Sequence, residues 1–543
     1  MHKRLLIISL LLLTILGGVL RFTGLTVNPP SLNIDEVAIG YDAYSILKTG
    51  KDQYGNQFPL SFKSTGDYKN PVVVYLLVPS IAVFGLNEFG IRFPTALIAT
   101  LSIPLFFLLF RQVTGRAKVA LIGTVLLTIS PWHIYFSRYV FEHLLATFIV
   151  SMGVLAFLKM LKGGLFWSML SGFLFALSVY TYHAERLFMP LFITALILIY
   201  RREVLHRKKE IVIFLITITL FALPIAWRTL FGPDSTRANM IFFAKDIEFR
   251  RNIAMTEGLI PTGLGKIFSN NFFLLIAFWF NRFLNYFSPN FLFFTGLSMT
   301  TPGSLGLGIM YLFELPFLIF GIISLFSKKF PHTWLIISWL LLGLIPTSLT
   351  NNDQSAVRSL IILPPLIIIS ALGAVAFFKT LRFTVGLVMG ILIVWCLLRA
   401  YLVFSVYFPR QRSEAFMGGQ KEAVMYALTN QDKYQEIVFD PYRGVAGPYI
   451  VSIPHIYLLF YAKYDPAKYQ TEEKISKDEY YHFDKYTFKK IDWHFPGADR
   501  SAEDTLFIGS PWSLPEKDLA QHEILKRIYL TNGDLVFLAV RKK

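Results

Sequence analysis

Long apolar runs separated by short polar breaks fill the first four hundred residues of this chain. The runs fall near residues 5–22, 90–110, 119–132, 143–159, 165–181, 187–200, 211–229, 308–326, 333–349, 359–378 and 383–405. Most approach the roughly 20 residues that a helix needs to cross a bilayer core about 30 Å thick. They predict about 11 transmembrane helices. Two more apolar stretches, 71–86 and 270–287, are ambiguous by length. After Tyr401 the pattern changes, and residues 406–543 are polar, Tyr-rich and without a span. They carry a helical pattern over Glu414–Leu428, a short strand over Glu436–Asp440, and a closing hairpin, KRIYLTNGDLVFLAV, that turns at Asn532-Gly533. The expected fold class is therefore a polytopic α-helical membrane domain, residues 1–405, followed by a small α/β domain, residues 406–543.

Composition agrees with the pattern. Hydrophobic residues make up 54% of the 543 and charged residues only 16%, against about 25% charged in ordinary soluble domains. The net charge of +17 invites a nucleic-acid reading, but its distribution points to membrane topology. With the N-terminus inside, the inner segments are MHKR, RQVTGRAK, KMLKGG, RREVLHRKKE, SKKFPH and KTLR. They hold sixteen Lys and Arg against Glu203 and Glu210, a net of +14, as the positive-inside rule requires. No nucleic-acid partner is expected. The N-terminal run lacks a small-x-small cleavage site and reads as a retained first span. The lone Cys396 lies inside an apolar run and excludes a disulfide framework.

This orientation also settles the ambiguous stretches. A full span at 71–86 would invert every later loop, so Asn70–Gly85 is expected to lie along the outer surface or re-enter partway. Asp35–Leu47 and Asn270–Phe287 are expected to be outer-surface helices of the interfacial type. Residues 31–88 then form the first extracytoplasmic loop, and the C-terminal domain lies outside as well.

The polar clusters gather on that outer side. They are Asp35-Glu36, Asp67 with Lys69, Arg138 with Glu142 and His143, Tyr182 with His183, Glu185 and Arg186, and Asp353 with Arg358. Each has a plainer reading. Asp35 alone is also a solvated loop acid or a helix cap. Arg138 and Glu142, four apart, also read as a structural ion pair. His143 and His183 also read as packed histidines, Tyr182 as part of an interfacial aromatic belt, and Arg358 as a snorkelling side chain. A divalent metal on His143, His183 and a carboxylate is the lesser reading, because no HExxH-type spacing supports it. No phosphate-binding loop of the GxxxxGK[ST] or GxGxxG kind is found.

At these residues the chain resembles membrane glycosyltransferases of the C-type fold, the family of protein O-mannosyltransferases and the aminoarabinose transferase of lipid A. Asp35-Glu36 is similar to the family's first-loop acidic motif. Phe84, Gly85, Glu88, Arg92 and Pro94 stand as its FG-x-x-E-x-x-x-R-x-P phrase. SPWHIYFSRYVFEHLLATF resembles its SR-x-x-x-D motif with Glu142 in place of Asp, and SAVRSLIILPP its late Arg-and-Pro span start. Lys69-Asn70-Pro71 stands where many members have Lys-Pro-Pro. The resemblance implies an inverting transfer of one sugar from a polyisoprenyl-phosphate donor to a hydroxyl of a protein, lipid or cell-wall acceptor, at the outer face of the cytoplasmic membrane. It implies Asp35 as catalytic base and Glu36 as a supporting group. Lys69, Arg138, Arg358 and, less directly, Arg186 are implied for the phosphate, and Glu142 for orienting Arg138 or the acceptor. Asp67, His143, Tyr182 and His183 complete the expected substrate-binding set. The competing classes are a transporter or flippase of a lipid-linked sugar, for which a repeat and a mid-membrane charged site would be expected, an outer-face polymerase or ligase of whole glycans, and a non-catalytic scaffold.

Overall fold

The structure is a computed structural model and describes residues 3–64, 67–232, 242–245, 249–251, 254–255, 271–297, 305–327, 330–351, 354–379, 383–472, 474, 481–492, 504–520 and 522–541. Every expected apolar run is a helix. In order these are α1 (Lys3–Phe22), α4 (Glu88–Thr114), α5 (Ala117–Ile129), α7 (Glu142–Met160), α8 (Leu165–Thr181), α9 (Glu185–Ile199), α11 (Lys208–Phe231), α13 (Glu314–Leu325), α14 (Thr333–Ser348), α15 (Leu363–Lys379) and α16 (Phe383–Leu402). Between them lie α2 (Ile34–Thr49), α3 (Pro71–Phe84), α6 (Pro131–Phe136), α10 (Arg201–His206) and α12 (Asn271–Asn285). Among the described residues, six helical stretches are long and apolar enough to cross a membrane: α1, α4, α7, α11, Leu360–Lys379 and Phe383–Gln411. The other five expected spans form helices of 12 to 17 residues.

The two loop helices form for local reasons. In α2, Asn33 and Glu36 make a capping box: Glu36 N–H donates to the Asn33 side chain at 2.9 Å, and Asn33 N–H donates back to Glu36 Oε2 at 3.1 Å, satisfying two donors that a helix start leaves bare. Pro71 opens α3 at its first position, where the missing N–H is not needed. A hairpin of β1 (Phe62–Ser64) and β2 (Asp67–Lys69) joins them, with Phe62 opposite Lys69. The turn from α3 into α4 is tight. A Cβ on Gly90 would lie 2.3 Å from the Gly85 carbonyl oxygen, so only glycine fits.

Beyond α16 come α17 (Phe408–Gln411), α18 (Gln420–Asn430), α19 (Pro454–Tyr461) and α20 (Pro466–Thr471). The strands are β3 (Glu436–Phe439), β4 (Tyr442–Arg443), β5 (Ile450–Val451), β6 (Tyr481–Phe483), β7 (Tyr486–Phe488), β8 (Thr505–Gly509), β9 (Glu523–Tyr529) and β10 (Leu535–Arg541). Six of them make one sheet in the order β6-β7-β3-β8-β10-β9, with β3 parallel to β7 and β8. The expected strand at 436 and the hairpin around Gly533 are both present.

The first loop packs against the C-terminal domain. Val37, Tyr41 and Ile46 of α2 and Val74 and Leu77 of α3 share one apolar core with Ala423, Tyr457, Phe460, Leu506 and Phe537 of the C-terminal domain. Polar ties reinforce it. Tyr457 Oη donates to Leu32 O at 2.8 Å, Tyr41 Oη donates to Tyr464 O at 3.1 Å, and Gln470 Nε2 donates to Ser45, Thr49 and Asp52. The expected interfacial helix at 35–47 is thus buried between other elements. Its mixed apolar and polar faces serve two protein partners.

Candidate functional site

Helix α2 presents two acids in its first turn, and the structure sends them opposite ways. Asp35 faces outward, with its side chain 45% exposed, and Oδ1 meets Lys69 Nζ at 2.8 Å. The Lys69 side chain is 13% exposed, because β2 holds it against the helix start. This is an accessible carboxylate beside a largely sheltered ammonium.

The strand that carries Lys69 is clamped from behind. Glu142, the first residue of α7, accepts from Asn70 N–H at Oε1 and from Asn70 Nδ2 at Oε2, both at 3.1 Å. The Asn70 side-chain oxygen accepts from Arg186 Nη2 at 3.0 Å. His183 Nε2 donates to the Tyr68 carbonyl at 3.1 Å. The Tyr182 ring packs on His143 with centroids 3.9 Å apart. Glu142, His183 and Arg186 therefore converge on the strand end that carries Lys69, while His143 and Tyr182 stack on each other. The Asp67 side chain lies outside the described residues.

Glu36 and Arg138 belong to a brace behind this surface. Glu36 is fully buried. Its Oε1 accepts from Arg92 Nε at 3.0 Å and Val140 N–H at 3.2 Å, and its Oε2 from Arg92 Nη2 at 3.2 Å. Arg92 also donates to the carbonyls of Leu25, Pro29 and Ser31. Arg138 donates to the carbonyls of Leu20, Arg21, Thr23 and Asn28, closing the C-terminal end of α1, where cations are favoured. Arg138 is thus engaged with the end of α1 and also lines an apolar cleft with Leu20, Tyr401 and Phe404, and Glu142 holds Asn70 instead of orienting Arg138. Nor do the two form an i,i+4 pair, since α6 ends at Phe136 and α7 begins at Glu142.

Arg358 is held by a different set of contacts. Its segment is pinned by Trp132 Nε1, which donates to Ala356 O at 2.9 Å, and by Tyr286 Oη, which accepts from Ser355 N–H at 3.1 Å. Its Nη1 is buried with no hydrogen-bond partner among the described residues. Asp353 lies outside those residues. No three His, Cys, Asp or Glu side chains come together as a metal site among the described residues; His183 turns to a carbonyl and His143 to the Tyr182 ring.

Two structural surprises follow. Asn70, read as a mere departure from Lys-Pro-Pro, is the link between Glu142 and Arg186. The FG-x-x-E-x-x-x-R-x-P phrase proves to be scaffold: Glu88 pairs with Lys421 of the C-terminal domain at 2.6 Å, and Arg92 anchors Glu36. Further along α2, Asp42 is buried and accepts from Gln53 N–H at 3.1 Å; burial pushes its carboxyl up to about 8.

Comparison with known proteins bears on this arrangement. Residues 68–227 match the family model of dolichyl-phosphate-mannose-protein mannosyltransferases, a segment that begins at β2 and contains the whole clamp. The structure of ArnT from Cupriavidus metallidurans bound to undecaprenyl phosphate aligns over 97% of both chains at 13% identity, with a TM-score of 0.56. The chain has the ArnT fold. The apo form of the same protein gives 0.55, also at 13% identity and 97% of both chains. Archaeal oligosaccharyltransferase AglB from Archaeoglobus fulgidus, in complex with an inhibitory peptide and a dolichol-phosphate, matches at 13% identity with a TM-score of 0.49, covering 79% of this chain and 58% of its own. The chain thus spans less than two thirds of AglB and nearly all of ArnT. No curated protein sequence matches it.

Proposed function

We propose that this protein is an inverting glycosyltransferase that moves one sugar from a polyisoprenyl phosphate to an acceptor hydroxyl, at the outer face of the cytoplasmic membrane. The observation that carries the reading is the Asp35–Lys69 pair, an accessible acid and a sheltered cation held 2.8 Å apart by a clamped hairpin within an ArnT-like fold. In this reading the N-terminus is inside, and residues 31–88 and 406–543 are outside.

Asp35 takes the proton of the acceptor hydroxyl as its oxygen attacks the anomeric carbon. The bond from that carbon to the phosphate oxygen breaks on the opposite face, and the lipid phosphate departs with the electron pair. Lys69 binds that phosphate. Lys69 pairs with Asp35, so the donor phosphate competes for the ammonium and releases the carboxylate for catalysis. Arg186, reaching Asn70 beside Lys69, supplies a second positive charge. Arg358, whose buried Nη1 has no hydrogen-bond partner among the described residues, is a further guanidinium suited to phosphate, whose geometry a planar fork matches. The prenyl chain stays in hydrocarbon while its head reaches the loop.

The test is to incubate purified protein with a panel of prenyl-phosphate monosaccharides and an acceptor panel of peptide, lipid and wall polymer. Consumption of one donor with transfer of label is expected, and Asn at position 35 should stop it. Consumption of none, or full turnover by Asp35→Asn, overturns the reading.

A further inference from the structure

The C-terminal domain has a cleft of its own. Strand β3 sits at the centre of the parallel part of the sheet, and the chain places β7 on one side of it and later β8 on the other. The carboxyl end of β3 is therefore a topological switch point, where open α/β sheets leave a crevice. Here the crevice is about 400 Å³, lined by Asp440 after β3, Lys490 and Asp492 after β7, Trp512 and Ser513 after β8, and Tyr442 of the β4–β5 hairpin. That volume is in the range of small-molecule sites.

Its walls are built rather than loose. Asp440 is spent on construction: Oδ1 accepts from Tyr442 N–H at 2.7 Å and Oδ2 from Ile491 N–H at 2.9 Å. Trp512 is 48% exposed, yet its Nε1 donates to Gly444 O at 2.8 Å and fixes the ring. Gly444 has φ +146, and a Cβ there would lie 2.1 Å from the Gly447 oxygen, so the hairpin tip requires glycine. Tyr442 is 38% exposed. At the rim, Lys490 and Asp492 stand 3.9 Å apart, a loose pair between an exposed lysine and a half-buried aspartate.

We propose that this cleft binds a saccharide, separately from the Asp35 site. A pyranose ring has an apolar C–H face and a belt of hydroxyls. The fixed indole and the tyrosine ring offer flat surfaces for the first, and Asp492 and Lys490 offer an acceptor and a donor for the second. A nucleotide fits less well. The chain leaves β3 into a hairpin rather than into the helix N-terminus that holds phosphates in such crevices, and two carboxylates outnumber the single ammonium.

The experiment uses the full-length protein in detergent and follows tryptophan fluorescence and saturation-transfer NMR. The probes are chitotriose, mannotriose and cellotriose, with ATP and an uncharged hexapeptide as competitors for the assignment. At least one trisaccharide should bind. Trp512→Ala should weaken it at least tenfold, Asp492→Asn several-fold, and Trp512→Phe, which keeps a ring and guards against a folding defect, much less. Asp35→Asn should leave binding unchanged, so failure of the transfer reading and failure of this one are separable. Binding of no trisaccharide, binding of ATP or the hexapeptide instead, or equal affinity in Trp512→Ala overturns the proposal.

Discussion

Asp35 and Glu36 are neighbours on one helical turn and have opposite surroundings. Glu36 is sealed in protein with Arg92, every acceptor committed to a fixed donor. Asp35 is half in solvent, with a lysine rather than an arginine as partner. The first pair resists exchange, because breaking it leaves a charge buried. The second can be exchanged for a ligand, because water and a mobile ammonium cover the change. One turn of helix thus carries both a rigid internal brace and the accessible acid proposed as the base.

The comparison can be broken most directly at Asp35. Asp35→Asn should lower turnover about 10²–10⁴-fold, the usual worth of a general base, with donor binding and the unfolding temperature retained; a rate within a few-fold of wild type would remove the difference between the two acids. At Glu36 the expected loss is in stability. Glu36→Ala strands Arg92 and should cost about 3–5 kcal/mol, read as a lower thermal midpoint in detergent, whereas Glu36→Gln should cost less. Lys69→Ala should weaken donor affinity about 10–100-fold, since charged hydrogen bonds contribute about 1.5–3 kcal/mol; unchanged affinity would take Lys69 out of the phosphate site.

Two smaller effects sharpen the picture. The folded-state carboxyl of Asp42 lies near 8 against an ordinary 3.8, so folding favours its protonated form. Its contribution to stability is full below about pH 4 and is lost as pH rises toward 8. Asp42→Asn should flatten that slope, measured as the unfolding temperature between pH 4 and pH 9. Lys421→Ala should cost under about 1 kcal/mol despite the 2.6 Å pair with Glu88, because Lys421 is 45% exposed.

The helices were legible because hydrocarbon demands long apolar runs, and the closing hairpin because Asn-Gly turns leave a local mark. The split between Asp35 and Glu36 was only partly legible. Asn33 and Glu36 stand at capping-box spacing, which turns the second acid back onto its own helix. Arg138 could not be placed that way: its partners are carbonyls of residues over a hundred positions earlier, and backbone acceptors have no sequence signature. The parallel strands β7 and β8 were missed for the same reason, since their pairing with β3 joins residues some fifty to seventy positions apart.

The core shared by α2, α3 and the last hundred and thirty residues sets a condition on biosynthesis. Translation proceeds from the N-terminus, so the helix bearing Asp35 emerges early and waits, its outward face uncovered, until the ribosome has finished nearly the whole polypeptide. Any nascent or prematurely terminated product ending after the final membrane helix would carry all the residues of the proposed transfer site without the packing that holds them, and would be a substrate for quality-control proteases.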